Sequence, residues 1–218
     1  MSGHILITGG GRGLGLFLCR AASAAGWRVS VTLRDGPAPE GATAYRLDLR
    51  DAAAVARLAD ILGPLDVLIN NAGIIGPQAS AATPVDPDAF LQVFAINTLA
   101  PLLVTQALLP NLRAAQSGRV MSISSQMSWM GYAKSDHIAY RASKAALNKV
   151  MQGLATDLAS IGLVAVAIDP GWMRTDMGGP QADLDPDRVA GQLIVLASRL
   201  GPADSGQFLR ADGTPRHW

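Results

Sequence analysis

Short apolar runs alternate along the chain with longer stretches in which apolar positions recur every three or four residues. The runs HILIT (4–8), RVSVTL (28–33), YRLDL (45–49), DVLIN (66–70), RVMSIS (119–124), VAVAI (164–168) and QFLRA (207–211) predict β-strands. Several are nearly continuous in Val, Ile and Leu, the pattern of strands covered on both faces of a parallel sheet. The helical spacing predicts helices over 13–25, 51–62, 87–114, 139–160 and 186–199. Strand–helix alternation implies an α/β fold. We expect one Rossmann-type doubly wound domain over 1–218, with a seven-stranded, mainly parallel sheet and helices on both faces. The alternation breaks once: DGPAPEGAT (35–43) is too short and too rich in Pro and Gly for a helix, so a loop should cross there.

Composition narrows the function classes. The 218 residues are 49% apolar and 16% charged, which suits a large core and argues against disorder. A net charge of +1 without a basic run gives no reason to expect nucleic acid or a membrane surface as partner. No apolar run reaches the length of a membrane span, and HILIT starts folding at once with no visible signal peptide, so a cytoplasmic location is expected. Cys19, the single cysteine, excludes an internal disulfide and reads as a small core residue. His4, His137 and His217 stand apart from any cysteine or carboxylate cluster, so no metal site is expected.

Two stretches carry chemistry. The first strand runs straight into TGGGRGLG, Thr8 to Gly15, and then a helix. Glycines there let the backbone turn tightly and approach a pyrophosphate, and the helix N-terminus offers free N–H groups. The register is TGxxxGxG (Thr8, Gly9, Gly13, Gly15), because Leu16 stands where the last glycine of GxGxxG would be. In the second stretch, HIAYRASKAAL, Tyr140 and Lys144 are four apart and share a helix face. A cation beside a phenol should lower its pKa and make it a better proton donor and acceptor near neutrality. Leu147, Val150, Leu154 and Leu158 form the apolar face that packs this helix.

With these motifs the chain resembles the short-chain dehydrogenase/reductase family over almost its whole length. TGGGRGLG is similar to the family's cofactor loop, NNAG (70–73) to the motif ending its fourth strand, YxxxK to Tyr140 and Lys144, and PGWMRT (170–175) to its PGxxxT segment. YRASKAALN and DPGWMRTDMGG resemble more particularly the branch that contains the carbonyl reductase Sniffer and the bacterial C-factor proteins. The resemblance implies a catalytic set of Asn97, Ser125, Tyr140 and Lys144: Tyr140 as general acid or base, Lys144 lowering its pKa and holding the nicotinamide ribose, and Ser125 polarising the carbonyl, with Ser124 as its runner-up. Pro101 has no N–H to give the Asn97 carbonyl, which is then free to hold the water implied at that position. The interval from Ser125 to Tyr140 is about two residues longer than the family's, so QMSWMGYAKSDHIA should bulge.

The cofactor implied is a nicotinamide dinucleotide. Leu33 stands about where an NAD-binding relative carries its acid, and Arg34 and Arg12 are placed to meet a 2′-phosphate, which favours NADP(H). Asp35 keeps NAD(H) open. The implied cofactor contacts are Thr8, Gly9, Gly11, Arg12, Gly13, Leu14, Gly15, Arg34, Asp48, Leu49, Asn71, Ala72, Gly73, Tyr140, Lys144, Pro170, Gly171 and Thr175, with Asn70 beneath the adenosine half. Gln126, Trp129, Met130, Trp172 and Met173 should line a pocket for a hydrophobic carbonyl or alcohol, left rather open by the short loop 176–185. The resemblance also implies a homo-oligomer, dimer or tetramer, through helices such as 87–114 and 139–160. Two other readings compete: a nucleotide-binding signalling or regulatory protein of the same fold, and a serine hydrolase built on Ser125, His137 and Asp136. The second is disfavoured by the adjacent Asp and His and by the lack of a GxSxG elbow.

Overall fold

The computed structural model describes residues 3–218. Seven parallel strands form one sheet: β1 (His4–Thr8), β2 (Arg28–Leu33), β3 (Ala42–Arg46), β4 (Val67–Asn70), β5 (Arg119–Ile123), β6 (Val164–Asp169) and β7 (Phe208–Arg210). Their order is β3-β2-β1-β4-β5-β6-β7, so the chain reverses direction across the sheet between β1 and β4. Ligands of doubly wound sheets bind outside the strand ends at such a reversal.

Alternating side chains of the central strands fill two cores. Ile5, Ile7, Val67, Ile69, Met121 and Val166 meet α1 (Gly13–Ala24) and α7 (Pro186–Arg199) on one face. Leu6, Leu68, Val120 and Ala165 meet the other layer: α2 (Ala52–Leu62), α4 (Ala100–Ala107) and α6 (Ile138–Leu158). Ile5, Leu6 and Ile7 are fully buried, each such side chain stabilising the fold by about 1.5–3 kcal/mol. Cys19 lies in the first core, and burial pushes its thiol up to about 12.

Two expected elements differ. The third strand is ATAYR, three residues before YRLDL. Gly41 (φ +74°) turns the chain out of the 35–41 loop, and β3 then pairs at once, Val29 opposite Ala42 through Leu33 opposite Arg46. Leu47 and Leu49, which drew the expectation onward, pack against the second core beyond the strand's end.

The long helix expected over 87–114 is broken into α3 (Pro87–Phe94), a π-helical turn (Ala95–Leu99), α4 and α5 (Leu109–Arg113). Pro101 causes the first break: it lacks an N–H, and its ring crowds the carbonyl four residues back, that of Asn97. The backbone widens, and the Ala100 N–H bonds the Ala95 carbonyl five residues back. The stretch Pro87–Ala107 is also long and apolar enough to cross a membrane by length and composition, which the sequence reading did not expect. It packs along α6 and α2.

His4 is 3% exposed at the start of β1. Its Nδ1 lies 2.8 Å from the Pro64 carbonyl and its Nε2 2.8 Å from the Ser30 hydroxyl, partners that assign the proton to Nδ1. Burial holds its pKa below the ordinary 6.5. The unfolded chain therefore takes up a proton before the folded one, and this contribution to stability is lost as pH falls from 6.5 toward the depressed folded value. Chemical unfolding at pH 7.5 and 5.5, against about His4's ordinary value, should show a stability loss in the parent that His4→Asn reduces; equal losses in both would remove His4 as its source.

Candidate active site

The glycine loop lies at the reversal, over the end of β4. A Cβ on Gly15 would stand 2.2 Å from the Gly9 carbonyl oxygen and 2.6 Å from Asn71 Nδ2, so only glycine fits. Gly9 adopts φ +69°, and a Cβ there would stand 3.0 Å from the Ala72 Cα. Thr8 is buried, and its hydroxyl accepts the N–H groups of Asn71 (3.0 Å) and Ala72 (3.1 Å). Asn71 Nδ2 donates to the Thr8 carbonyl at 2.9 Å. The loop and the NNAG turn are thus stitched into one surface. Asn70 stands apart from it: its side chain is buried and donates to Thr105 and Ser122, so it joins α4 to β5.

Helices α2, α3 and α7 are capped by the carboxylates of Asp51, Asp86 and Asp185. Helix α1 has no such cap: Arg12 precedes it in extended conformation without a side-chain bond to the first turn. Its leading N–H groups, with Gly13 and the buried Leu14 and Gly15 behind them, remain available to an anion.

Asn97, Ser125, Tyr140 and Lys144 come together from three elements. Asn97 is fully buried in the π-helical turn. Its Oδ1 accepts the Ile74 N–H at 2.9 Å, and its Nδ2 donates to the Ile74 carbonyl (2.9 Å) and the Ser143 hydroxyl (3.0 Å). Ser143 in turn donates to the Tyr140 carbonyl at 2.8 Å. Asn97 therefore ties the segment after NNAG to α6. A Cβ on Gly73 would stand 3.2 Å from Asn97 Oδ1 and 3.5 Å from Lys144 Nζ, so the turn runs directly over both.

Tyr140 and Lys144 are both buried, with Nζ 5.8 Å from the centre of the tyrosine ring. Lys144 Nζ donates to the Ile123 carbonyl at 2.6 Å. Burial drives Tyr140 up to about 12, with the Ser125 side chain opposing as a hydrogen-bond partner and the Asp169 charge adding to the rise. Burial brings Lys144 down to about 8. The expectation that lysine depresses the phenol is corrected: the ammonium is directed at a carbonyl, and desolvation of the phenolate outweighs it.

The two serines separate as strand alternation requires. Ser125 is half-buried, faces Tyr140 and caps the following short turn by accepting the Met127 N–H at 3.1 Å. Ser124 points the opposite way and donates to Asn148 Oδ1 at 2.6 Å. Asn148 Nδ2 donates to Ser128, whose hydroxyl donates to the Ser125 carbonyl at 2.6 Å. Asn148 and Ser128 thus hold Ser125 in place. The reading of the sequence missed them, although Asn148 sits four residues after Lys144 on one helix face.

The second-strand residues also sort themselves. Leu33 is buried in the first core, and a Cβ on Gly11 would meet its side chain at 2.9 Å. Arg12 and Arg34 are the next residues after this contact pair, and both are exposed. Arg34 pairs with Asp35 at 3.2 Å, the two side chains 70% and 80% exposed. Asp48 is gripped by Arg50 through both carboxylate oxygens, which holds it down to about 2. Leu49 follows it against the second core.

After β6, the buried Pro170 and the half-buried Gly171 open a pinned loop. Gly171 takes φ +79° where a Cβ would strike Leu184 at 2.4 Å, and the Thr175 hydroxyl accepts the Gly178 N–H at 3.3 Å. Among the expected pocket residues, Gln126 and Trp129 are half-buried and Trp172 is partly exposed, its indole donating to the Gly178 carbonyl at 2.8 Å. Met130 stands out into solvent at 82% exposure on the irregular 129–137 segment. Met173 turns to the first core beside Leu184 rather than outward.

The sequence pattern of the short chain dehydrogenase family matches residues 3–185. The chain belongs to that family of oxidoreductases. This short-chain dehydrogenase is 46% identical over 159 residues to the C-signal of Myxococcus xanthus, a match that covers 72% of this chain and 94% of the relative. Its structure superposes on the carbonyl reductase Sniffer of D. melanogaster with a TM-score of 0.93 and 31% identity, covering all of both chains. The NADPH-bound carbonyl reductase from chicken fatty liver gives 0.90 and 29%, covering 100% of this chain and 99% of that one.

Proposed function

We propose that this short-chain dehydrogenase is an NADP-dependent carbonyl reductase or alcohol dehydrogenase in which Tyr140 is the general acid and base. The observation that carries the reading is the meeting of Ser125, Tyr140 and Lys144 beside the glycine loop, at the end of the sheet where the chain reverses. A dinucleotide fits the residues present. Gly15 leaves no room for a Cβ, Gly9 takes φ +69° against the Ala72 backbone, α1 offers uncapped N–H groups, and the exposed Arg12 and Arg34 each follow a member of the Gly11–Leu33 contact. The NADPH of the chicken carbonyl reductase supports the same choice.

In this reading the glycine loop and the Asn71–Gly73 turn hold the dinucleotide, and Pro170, Gly171 and Thr175 meet its nicotinamide half. The bound nicotinamide supplies or accepts the hydride. Ser125 donates to the substrate carbonyl oxygen and holds it toward Tyr140. Tyr140 passes its phenolic proton to that oxygen in reduction and takes it back in oxidation. Lys144, with its pKa brought down to about 8, exchanges charge near working pH and holds the nicotinamide ribose. Trp129 and Trp172 offer apolar surface, which suits an aromatic or hydrophobic carbonyl. Assembly into a homo-oligomer through the α3–α4 and α6 helices, and a cytoplasmic location, belong to the same proposal.

Titration with NADPH and then NADH, followed by nicotinamide fluorescence, tests the cofactor part. Tighter NADPH binding followed by NADPH oxidation with a panel of aromatic aldehydes and ketones is the expected result. Binding of neither nucleotide would overturn the proposal. The relative at 46% identity is named for a signal rather than a reaction, which supports a second reading: a nucleotide-binding regulator of the same fold. NADPH binding without turnover on any carbonyl would favour that reading.

A further inference from the structure

The last residues of the chain fold back onto the candidate site. Gly213 (φ +86°) reverses the chain, the Arg210 N–H bonds the Thr214 carbonyl at 2.8 Å, and the Arg216 N–H bonds the Phe208 carbonyl at 2.8 Å. Trp218 stacks on Phe208 at 5.5 Å. This turn delivers the Arg216 guanidinium to Asp169, Nε to Oδ2 at 2.9 Å, with side-chain exposures of 17% and 4%. The Nε–H is not aimed at the oxygen, so the contact is a close ion pair rather than an aligned hydrogen bond. The same guanidinium lies 5.8 Å from the Trp129 ring centre. Asp169 uses its other oxygen to accept the Gly171 N–H at 3.0 Å.

We propose that Arg216 is a positioning residue for the reaction: through Asp169 and Trp129 it joins the C-terminal turn, the Gly171 loop and the substrate wall, and it balances the buried Asp169 carboxylate. The inference deepens the proposed function and rests on it for its catalytic meaning. Its physical basis is charge. A buried carboxylate near a phenol disfavours the phenolate, and a cation against that carboxylate cancels much of its field. The Ser124 N–H bonds the Ile168 carbonyl at 2.7 Å, so Asp169 leaves β6 beside the Ser124–Ser125 end of β5 that meets Tyr140, and its charge adds to the upward pressure on the phenol. Among the described residues, Lys144 lies on the same helix as Tyr140, and the Asp136, His137 and Arg141 group stands at that helix's start, where Asp136 and Arg141 pair with each other.

The test compares Arg216→Met, Asp169→Asn and the double variant with the parent. The first readout needs no turnover: tyrosinate absorbance in a stopped-flow pH jump, each protein measured against its own Tyr140→Phe counterpart. The Tyr140 step should rise by about one pH unit in Arg216→Met, fall in Asp169→Asn, where the cation is left alone, and return toward the parent in the double variant. Loss of packing alone cannot produce shifts of opposite sign that cancel. The second readout is the pH profile of phenylethanol oxidation with NADP⁺, whose rising limb should move in the same order. An unmoved Tyr140 step in all three variants would overturn the inference. The expected steps without turnover in the parent would overturn the proposed function and leave this charge coupling standing.

Discussion

Tyr140→Phe should bind NADPH like the parent and reduce carbonyls about 10²–10⁴-fold more slowly, the range that a positioned general acid contributes. The substitution removes one oxygen from a buried side chain and keeps the ring that packs beside Lys144. Ser125 loses a partner, but it is half-buried and still caps the following turn through Met127. The fold should therefore hold, with a stability change of about 1 kcal/mol either way. Single-turnover reduction under saturating NADPH separates the outcomes. A large loss in kcat at unchanged NADPH affinity assigns proton transfer to Tyr140. Parent-like turnover would remove Tyr140 from the chemistry. The same variant divides the enzyme from the regulator, since a protein whose output is nucleotide binding alone would not register the missing hydroxyl.

Much of this arrangement was legible because it follows from local patterns. The continuous apolar strands, the glycine loop between a strand and a helix, and the i, i+4 pair on α6 each have a sequence period or spacing that their physics requires. Adjacent serines at the end of β5 had to face opposite ways, and they do. What could not be read depends on distant partners. The third strand begins where β2 offers a register, not where its own leucines are richest. The balance between desolvation and charge at Tyr140 depends on where the Lys144 ammonium points, and a neighbouring carbonyl from β5 decides that. Asp169 and Arg216 are 47 residues apart, and only the turn at Gly213 brings them together. The RADGTPR segment closes on its own chain through the Arg210–Thr214 and Arg216–Phe208 backbone bonds.

Replacing both Arg12 and Arg34 with Ser should weaken NADPH binding by about 10²–10⁴-fold and change NADH binding little. Each charged hydrogen bond to a phosphate is worth about 1.5–3 kcal/mol, or roughly tenfold to a hundredfold. The geometry argues for both arginines acting at one point. Gly11 rests on the Leu33 side chain, so the residues that follow each, Arg12 and Arg34, emerge at the same rim. Leu33 itself is buried and apolar and offers no acceptor to a ribose hydroxyl. Asp35 is the competitor, since it already pairs with Arg34. That pair is so exposed that water screens most of its attraction, and exposed pairs are typically worth under about 1 kcal/mol. A doubly charged phosphate should displace it. Two further signs follow. NADPH affinity should fall with added salt more steeply in the parent than in the double variant, because screening acts on the contacts that the variant lacks. Asp35→Asn should tighten NADPH binding several-fold by freeing Arg34. A parent that prefers NADH, or an Asp35→Asn variant that loses NADH binding, would instead place Asp35 on the ribose and turn the two arginines into solvated surface charge.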